Sequence, residues 1–244
     1  MRISRTIEGF ALDIAVIWLM ILAALLVGAR AWLAENPQND PWAPLNLNDP
    51  PGWATQTKLA ALRSDPDECR AVLERSGVAF ETRAPVGEGE CARPDRTVLT
   101  ETPLAPSGRP STCPVAAGVE LWLRQGLQPA AREILGSPVQ RIEHLGIYSC
   151  RRIYGGSTGN WSEHATGNAI DIAAFVLEDG RRISVLADWG EDDGEADEQS
   201  RFLHAVRDAA CDIFGTVLSP DYNEAHANHF HLDQAARGFG GVCR

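Results

Sequence analysis

The sequence has few basic residues and no cluster of them. Lys and Arg number 22 against 33 Asp and Glu, which gives a formal net charge of −11. Proteins that bind nucleic acid neutralise its phosphates with clustered Lys and Arg. Nucleic acid is therefore not an expected partner, whereas an apolar content of 44% is enough to build a folded core.

The sequence also lacks any C-x-x-C pair, although it contains six cysteines. Their wide spacing argues against a zinc knuckle. Their even number predicts up to three disulfides, formed in an oxidising compartment, and many pairings of six cysteines are possible. The pairing that we predict joins neighbours along the chain: Cys69–Cys91, Cys113–Cys150 and Cys211–Cys243.

Charge is missing from a long stretch near the N-terminus. Ile14 to Ala29 is a run of 16 uncharged residues, and the apolar character extends from Phe10 to Leu33. A membrane-spanning helix needs roughly 20 predominantly apolar residues. We therefore predict a transmembrane anchor at 10–33, after a short cytoplasmic tail at 1–9. Arg2 and Arg5 precede the run, and the positive-inside rule then places the body of the protein outside the cytoplasm.

Two other interpretations of the same stretch remain open. Ala29-Arg30-Ala31 resembles the small-x-small site at which a signal peptide is cleaved, so the body could be secreted. A buried helix of a soluble protein is the third possibility.

The remaining sequence predicts an α+β fold, with an antiparallel sheet and helices on one face. We expect a Pro-rich extended linker at 34–60, a small N-terminal subdomain at 61–110 and the main domain at 111–244. Residues 188–198 contain seven acidic side chains and predict a solvated loop.

Two segments carry the chemistry. Ser162 to Asp171 places His164 in a loop and Asp171 on a strand, with Gly167 permitting the turn between them. The second segment reads His226-x-x-His229-x-His231, and strand alternation turns its last two imidazoles to one side. Imidazole, carboxylate and imidazole form the ligand set of a zinc site that keeps an open position. Iron and manganese are the alternative metals.

Four other titratable residues receive ordinary interpretations. His144 and His204 are expected to be surface or satisfied core residues, and Glu224 and Asp233 to be surface residues or to support the metal ligands from behind.

Ser162 to Asp171 matches the S-x-H-x-x-G-x-A-x-D motif at every fixed position. The chain thereby resembles the LAS metallopeptidases, which include lysostaphin-like enzymes, D-Ala-D-Ala carboxypeptidases, the penicillin-insensitive murein endopeptidase and the Hedgehog signalling domain. The stretch from about Cys69 to Arg244 is similar to the bacterial extensin-like C-terminal domain family. This resemblance implies a Hedgehog/DD-peptidase-like fold for the main domain.

The resemblance also implies a role for each site residue. His164, Asp171 and His231 are the expected ligands of a zinc ion (Zn2+). His226 is the expected general base, with Glu224 as its substitute, and Arg151 or His229 is expected to stabilise the transition state. Ser162 is expected to support the ligands by a hydrogen bond.

The function implied by the resemblance is a zinc-dependent peptidase that hydrolyses peptide bonds in peptidoglycan stems or cross-links. We expect it to be anchored by one helix in the bacterial inner (cytoplasmic) membrane, with its catalytic domain in the periplasm. The alternative is a catalytically inactive, zinc-containing module that binds or scaffolds the cell wall, as the Hedgehog domain illustrates. The sequence leaves the oligomeric state open.

Overall fold

The N-terminal region is one long helix in the computed structural model. The structure describes the backbone of residues 3–190, 197–236 and 241–244, with side chains from residue 14 onward in those ranges. Helix α1 covers Ile3–Glu35, so the predicted tail is helical from its third residue. Its segment Ile14–Glu35 has a mean hydropathy of 2.3 and buries none of its surface against the protein. That length and composition suit a membrane anchor or a signal peptide.

The stretch 34–60 differs from the extended linker that its prolines predict. Leu47 is fully buried and Leu45 nearly so, and both belong to the hydrophobic core. The stretch continues into helix α2, Thr55–Ala61, and a 3-10 turn, Leu62–Ser64. Prolines prevent regular structure here but do not prevent packing, because the intervening leucines provide apolar surface to bury.

A small substructure follows this stretch. Helix α3, Pro66–Arg75, begins at Asp65, whose side chain accepts a hydrogen bond from the Glu68 amide. Strands β1, Phe80–Thr82, and β2, Thr97–Leu99, then form an antiparallel pair.

The main sheet has seven strands, and the α+β class is confirmed. Its order is β3-β4-β5-β8-β7-β9, with β6 paired to β5. The strands are β3 Leu104–Ala105, β4 Val139–Gly146, β5 Ala169–Leu177, β6 Arg182–Ser184, β7 Thr216–Leu218, β8 Phe230–Asp233 and β9 Val242–Cys243.

The prediction of a wholly antiparallel sheet is wrong at two pairs. Strand β3 runs parallel to β4, and β9 runs parallel to β7. Both β3 and β9 are two-residue strands that reach the sheet through long connections. Antiparallel order follows where a tight hairpin joins two strands, and no hairpin joins either of these pairs.

The remaining helices supply the other half of the core. They are α4 Cys113–Trp122, a π-helical turn Leu123–Leu127, α5 Gln128–Leu135, α6 Val185–Asp188 and α7 Glu198–Cys211. Trp122 of α4 contacts Phe175 of β5 at 6.0 Å between ring centroids, and Phe175 contacts Phe202 of α7 at 5.3 Å. Because side chains alternate along a strand, Asp171 lies on the face of β5 opposite to the buried Ile170 and Ile172.

Three disulfides close the fold, and two of the predicted pairings are wrong. The bonds join Cys69 to Cys113, Cys91 to Cys150 and Cys211 to Cys243, so only the last pairing is confirmed. Helix α3 packs on α4, which brings Cys69 to the first residue of α4. The turn that ends at Cys91 packs on the turn 163–166, close to Cys150. Tertiary packing, and not sequence separation, therefore selects both partners.

Residues 191–196 of the predicted acidic loop lie outside the described residues.

Candidate metal centre

A tight turn places the first candidate ligand. His164 lies in a 3-10 turn, Glu163–Thr166, in which the Ser162 hydroxyl accepts a hydrogen bond from the His164 amide at 3.3 Å. Gly167 ends the turn with φ of +74°, a left-handed conformation that a side chain would strain. The chain can therefore enter β5 two residues later, with Asp171 three positions into that strand.

Strand pairing places the other two ligands. Strands β5 and β8 are antiparallel, and their register sets Asp171 directly opposite His231. Directly opposed residues project from the same face of a sheet with their Cβ atoms about 5 Å apart. The carboxylate and the imidazole therefore meet on the face that looks away from the hydrophobic core.

The three side chains converge on one point. The Asp171 Oδ1 atom lies 3.1 Å from His164 Nε2 and 3.0 Å from His231 Nδ1. The two ring nitrogens lie 3.1 Å apart. All three side chains are at least four-fifths buried, so water compensates their polar atoms poorly.

The opposite nitrogen of each ring fixes its tautomer. His164 Nδ1 donates to the Ile147 carbonyl oxygen at 2.9 Å, and His231 Nε2 donates to the Asp233 carboxylate at 3.0 Å. In the neutral rings, the two inward nitrogens are then lone-pair acceptors beside a carboxylate oxygen. Three converging acceptors repel one another unless a proton or a metal cation lies between them.

In the absence of a metal, a proton compensates this cluster. Burial lowers the pKa of His231, but hydrogen bonds and charge from Asp171 and Asp233 outweigh burial and raise the pKa to about 9. Burial raises the pKa of the Asp171 carboxyl, yet the two imidazoles hold it well below its usual range. Two imidazoles and one carboxylate are ligand types that zinc binds. The outward N–H groups of the two imidazoles donate to a carbonyl and a carboxylate, as the histidine ligands of zinc sites commonly do.

A cleft of about 880 Å³ opens above this cluster. Its volume falls within the range of sites that bind small molecules or short peptides. Polar, cationic and aromatic side chains share its wall. They include Arg63, Arg151, Tyr154, Trp161, Tyr222, His226 and His229.

His226 is held by an amide side chain. Its Nδ1 donates to Asn223 Oδ1 at 2.7 Å, and Asn223 Nδ2 donates to the Tyr154 hydroxyl at 3.0 Å. This leaves His226 Nε2 without a hydrogen-bond partner among the described residues. Burial, assisted by the neighbouring imidazoles of His229 and His231, lowers the pKa of His226 to about 4. The ring is therefore neutral at neutral pH and can accept a proton.

His229 and Arg151 complete the wall of the cleft. His229 Nδ1 donates to Asn228 Oδ1 at 2.8 Å, and its Nε2 lies 3.7 Å from Asp171 Oδ1. Arg151 is exposed and, in the part of the chain that the structure describes, has no ion-pair partner. Burial lowers the pKa of His229, and the charge of Arg151 lowers it further. Arg151 and His229 therefore line the same cleft.

Comparison with known proteins identifies the family. The model of the extensin-like protein C-terminus matches residues 67–244, which is most of the chain. The chain belongs to this extensin-like family. No curated protein and no solved structure matches it.

In this extensin-like domain, the six residues predicted as metal ligands or catalytic groups meet at one cleft, whereas Glu224, the substitute base, is not among the residues that line it. His164, Asp171 and His231 form a cluster able to hold a metal, and Arg151, His226 and His229 stand around it. Ser162 binds the His164 amide, as expected. The histidines interpreted as ordinary, His144 and His204, are buried and do not line the cleft.

Several residues of the extensin-like site were not found by sequence reasoning. Asp233 had two open interpretations, and the structure selects support of His231, at 2% exposure. Asn223 was missed, although an amide three residues before His226 is within reach of that ring. Tyr154 and Arg63 carried no local signal, because tertiary packing alone brings them to the cleft.

Proposed function

We propose that this protein is a membrane-anchored, extracytoplasmic, zinc-dependent peptidase that hydrolyses peptide bonds of peptidoglycan stems or cross-links. One observation carries the proposal: three buried acceptor atoms, each 3.0 to 3.1 Å from the others, face an open cleft beside a neutral imidazole. Three buried acceptors need a proton or a metal cation between them, and the neutral imidazole of His226 beside them can act as a base on a molecule bound in the cleft. The resemblance to LAS metallopeptidases supports the choice of a peptide in the cell wall.

The proposed division of labour follows from the hydrogen bonds. A zinc ion bound by His164, Asp171 and His231 would supply a Lewis acid that lowers the pKa of water toward ~7. His226 accepts a proton from the attacking water at its free Nε2 and later returns it to the leaving amine. Asn223 holds the His226 ring in the tautomer that keeps Nε2 unprotonated before the reaction.

One cationic group, Arg151, is suited to the negative charge that develops on the scissile carbonyl oxygen, because its guanidinium is unpaired among the described residues. His229 donates its Nδ1 proton to Asn228, so it can stabilise the same charge only when its Nε2 is also protonated. Donors that are in place before the reaction stabilise a developing oxyanion more strongly than mobile water does.

The shape and composition of the cleft agree with a peptide substrate. A volume of about 880 Å³ is large for a metal site alone and accommodates several residues of peptide. The exposed rings of Tyr154 and Tyr222 offer apolar contact, and the guanidinium of Arg151 favours the carboxylates of an acidic stem peptide.

The location proposed is the periplasmic side of the bacterial inner membrane. An apolar helix at the N-terminus and three disulfides in the body support an extracytoplasmic domain held by an anchor. The anchor, and not a cleaved signal peptide, is part of the proposal.

Incubation of the purified full-length protein with peptidoglycan digests tests the proposal. Each digest is treated with protein alone, with protein and a chelator, and with chelated protein after zinc is restored, and the products are identified by mass spectrometry. We expect loss of a stem or cross-link peptide that the chelator abolishes and zinc restores. Bound zinc without cleavage of any muropeptide would contradict the peptidase and support a binding or scaffolding module instead.

A further inference from the structure

Two tryptophans are exposed on the stretch that follows the apolar helix. Trp42 is 86% exposed and Trp53 is 66% exposed. Tryptophan is a costly residue to leave in water, because its ring has the largest apolar surface of any side chain. The same stretch buries Leu45 and Leu47 in the core, so it has turned its smaller apolar residues inward and its largest ones outward.

Both tryptophans lie close to the end of α1. The helix ends at Glu35, and Asn39 follows it in a 3-10 turn, Pro37–Asn39. The Trp53 amide donates to Asn39 Oδ1 at 3.2 Å, and the Trp42 amide donates to Asp40 Oδ1 at 3.0 Å. The backbones that carry the two exposed rings therefore both lie beside the end of the helix, and Trp32 in its last turns is also half exposed.

The stretch is held firmly on the body. Lys58 Nζ donates to the Pro37 carbonyl oxygen at 2.7 Å, which ties the end of α1 to α2. The Leu47 amide donates to Ser76 Oγ at 3.0 Å, and Arg124 donates to Asn48 Oδ1 at 2.7 Å. The outward direction of the tryptophans is therefore a property of a packed surface and not of a loose linker.

Local charge is only partly compensated. Burial lowers the pKa of the Lys58 ammonium group, and the carboxylates of Asp40 and Asp49 oppose that effect. Glu35 at the end of α1 is a third acidic residue, so the stretch keeps a small excess of negative charge, and the tryptophan rings, not charge, favour contact with lipid.

We propose that the face bearing Trp42 and Trp53 lies in the headgroup region of the bilayer that α1 crosses, and so seats the body on the membrane surface. The inference rests on the membrane anchor of the proposed function but not on its chemistry. Trp is enriched at membrane–water interfaces, where its apolar ring and its N–H group are both accommodated. Continuity with α1 identifies the occupant of this patch, because a patch at the end of a spanning helix meets lipid first.

Contact of the Trp42 and Trp53 face with the headgroups would also set the distance of the cleft from the membrane surface. Trp53 is followed at once by α2 and by the turn that contains Arg63, a distance of roughly 15 Å at the rise of a helix. Arg63 lines the cleft and binds Glu163 at 2.8 Å, and Glu163 precedes the candidate ligand His164. A short and continuous structure therefore joins the membrane patch to the metal centre. The cleft would meet peptidoglycan strands close to the membrane.

Spin labels on single added cysteines test the seat in the full-length protein, reconstituted in lipid nanodiscs. Every native cysteine is in a disulfide, so an added one is the single reactive thiol. The variants are Trp42→Cys and Trp53→Cys, with Leu25→Cys in the apolar helix and Leu186→Cys on the body as controls. Leu25, Trp53 and Leu186 have nearly equal exposure on the protein, at 66, 66 and 67%. Differences in the accessibility of their spin labels therefore reflect whether each label is surrounded by lipid or by water.

Accessibility of each label to dissolved oxygen and to a water-soluble nickel chelate gives its depth. We expect the labels at 42 and 53 to be several-fold less accessible to the chelate than the label at 186, and shallower than the label at 25. Labels at 42 and 53 that match the label at 186, with the label at 25 in lipid, would overturn the seat and leave the anchor intact. A label at 25 that is in water would overturn both.

A second measurement needs no added cysteine and leaves the peptidase chemistry out. Brominated lipids quench tryptophans that lie in the bilayer, and the double variant W42F/W53F should lose part of the quenching seen in the unaltered protein. Equal quenching would overturn the proposal. Neither measurement involves hydrolysis. A protein that cleaves no muropeptide but in which brominated lipids quench Trp42 and Trp53 would therefore contradict the proposed peptidase activity and leave the membrane contact supported.

Discussion

The floor and the rim of the cleft are built in different ways. The floor consists of three buried side chains, His164, Asp171 and His231. The outward ring nitrogens of the two histidines donate to a carbonyl oxygen and to the buried Asp233 carboxylate. The rim contains His226 and His229, whose rings are each held by one asparagine side chain. Strands and a tight turn position the floor, whereas a loop positions most of the rim.

This difference separates two requirements. A metal cation needs ligands in fixed geometry, and a sheet register with a left-handed glycine provides it before any metal arrives. A general base needs a nitrogen that is neutral and within reach of the substrate, and a loop provides that. Substitutions in the floor should therefore change metal affinity, and substitutions in the rim should change rate alone.

Asp171→Asn is expected to have the largest effect. The amide has the same shape but lacks the charge that offsets the cation. Loss of a supporting residue typically weakens metal affinity about 10 to 100-fold, so loss of a ligand should exceed about 100-fold. Zinc content by mass spectrometry and hydrolysis of muropeptides should fall together. Asp212→Asn, at the exposed end of α7, is the matched control. Full zinc content in Asp171→Asn would show that the floor does not determine metal affinity, and would contradict the division of roles between floor and rim.

His226→Ala should separate rate from binding. General-base catalysis contributes typically about 10²- to 10⁴-fold, and His226 does not belong to the three-residue ligand cluster. We expect hydrolysis to fall within that range while zinc content stays unchanged. Glu224→Gln, two residues earlier in the same turn, is the control because Glu224 is the alternative base. Loss of activity in Glu224→Gln with retained activity in His226→Ala would reverse the assignment.

Asp233→Asn tests whether support for the floor reaches beyond the ligands. The Asp233 carboxylate accepts a hydrogen bond from His231 Nε2 at 3.0 Å, and an amide can retain the bond but not the charge. We expect zinc to bind about 10-fold more weakly, at the lower end of the effects of such partners. Competition with a zinc chelator measures the affinity, and thermal unfolding without metal serves as the control for folding. Unchanged zinc affinity would show that Asp233 does not contribute to metal binding and that only the three ligands do.

The two segments that build the floor could be predicted from sequence because each segment is local, whereas the choice of His231 as the third ligand was implied by the family resemblance. His164 and Asp171 are separated by one glycine turn and part of one strand, and the alternation of a strand puts His229 and His231 on one side. The distant contact, between Asp171 and His231, is a direct pair of neighbouring strands. Within each segment, secondary structure orients the ligands, and the pairing of β5 with β8 brings the two segments together.

Features that depend on tertiary packing could not be predicted. The partners of Cys69 and Cys91 depend on which helix and which turn each one packs against. The stretch 34–60 has the composition of a linker, yet the core accepts its leucines. Tyr154 reaches Asn223 across 69 positions, from a backbone at φ of +56° that few non-glycine residues adopt. None of these has a signal in the local sequence.

Asn223→Ala should have the smallest effect, and it sharpens the comparison most. The asparagine contacts neither metal ligands nor substrate in our proposal; it positions His226 through the hydrogen bond to Nδ1. Loss of that bond frees the ring to rotate, and we expect kcat to fall several-fold, by less than Asp233→Asn weakens metal binding, with KM and zinc content unchanged.

Asn223→Asp distinguishes positioning from general damage to the loop. The carboxylate keeps the acceptor for His226 Nδ1, so activity at high pH should recover. Its charge favours the imidazolium form and raises the pKa of His226, and the neutral ring is the active base. The acidic limb of the pH–rate profile should therefore move to higher pH. An unmoved limb would show that Asn223 shapes the loop without orienting the base, and the rim would then need no fixed tautomer at all.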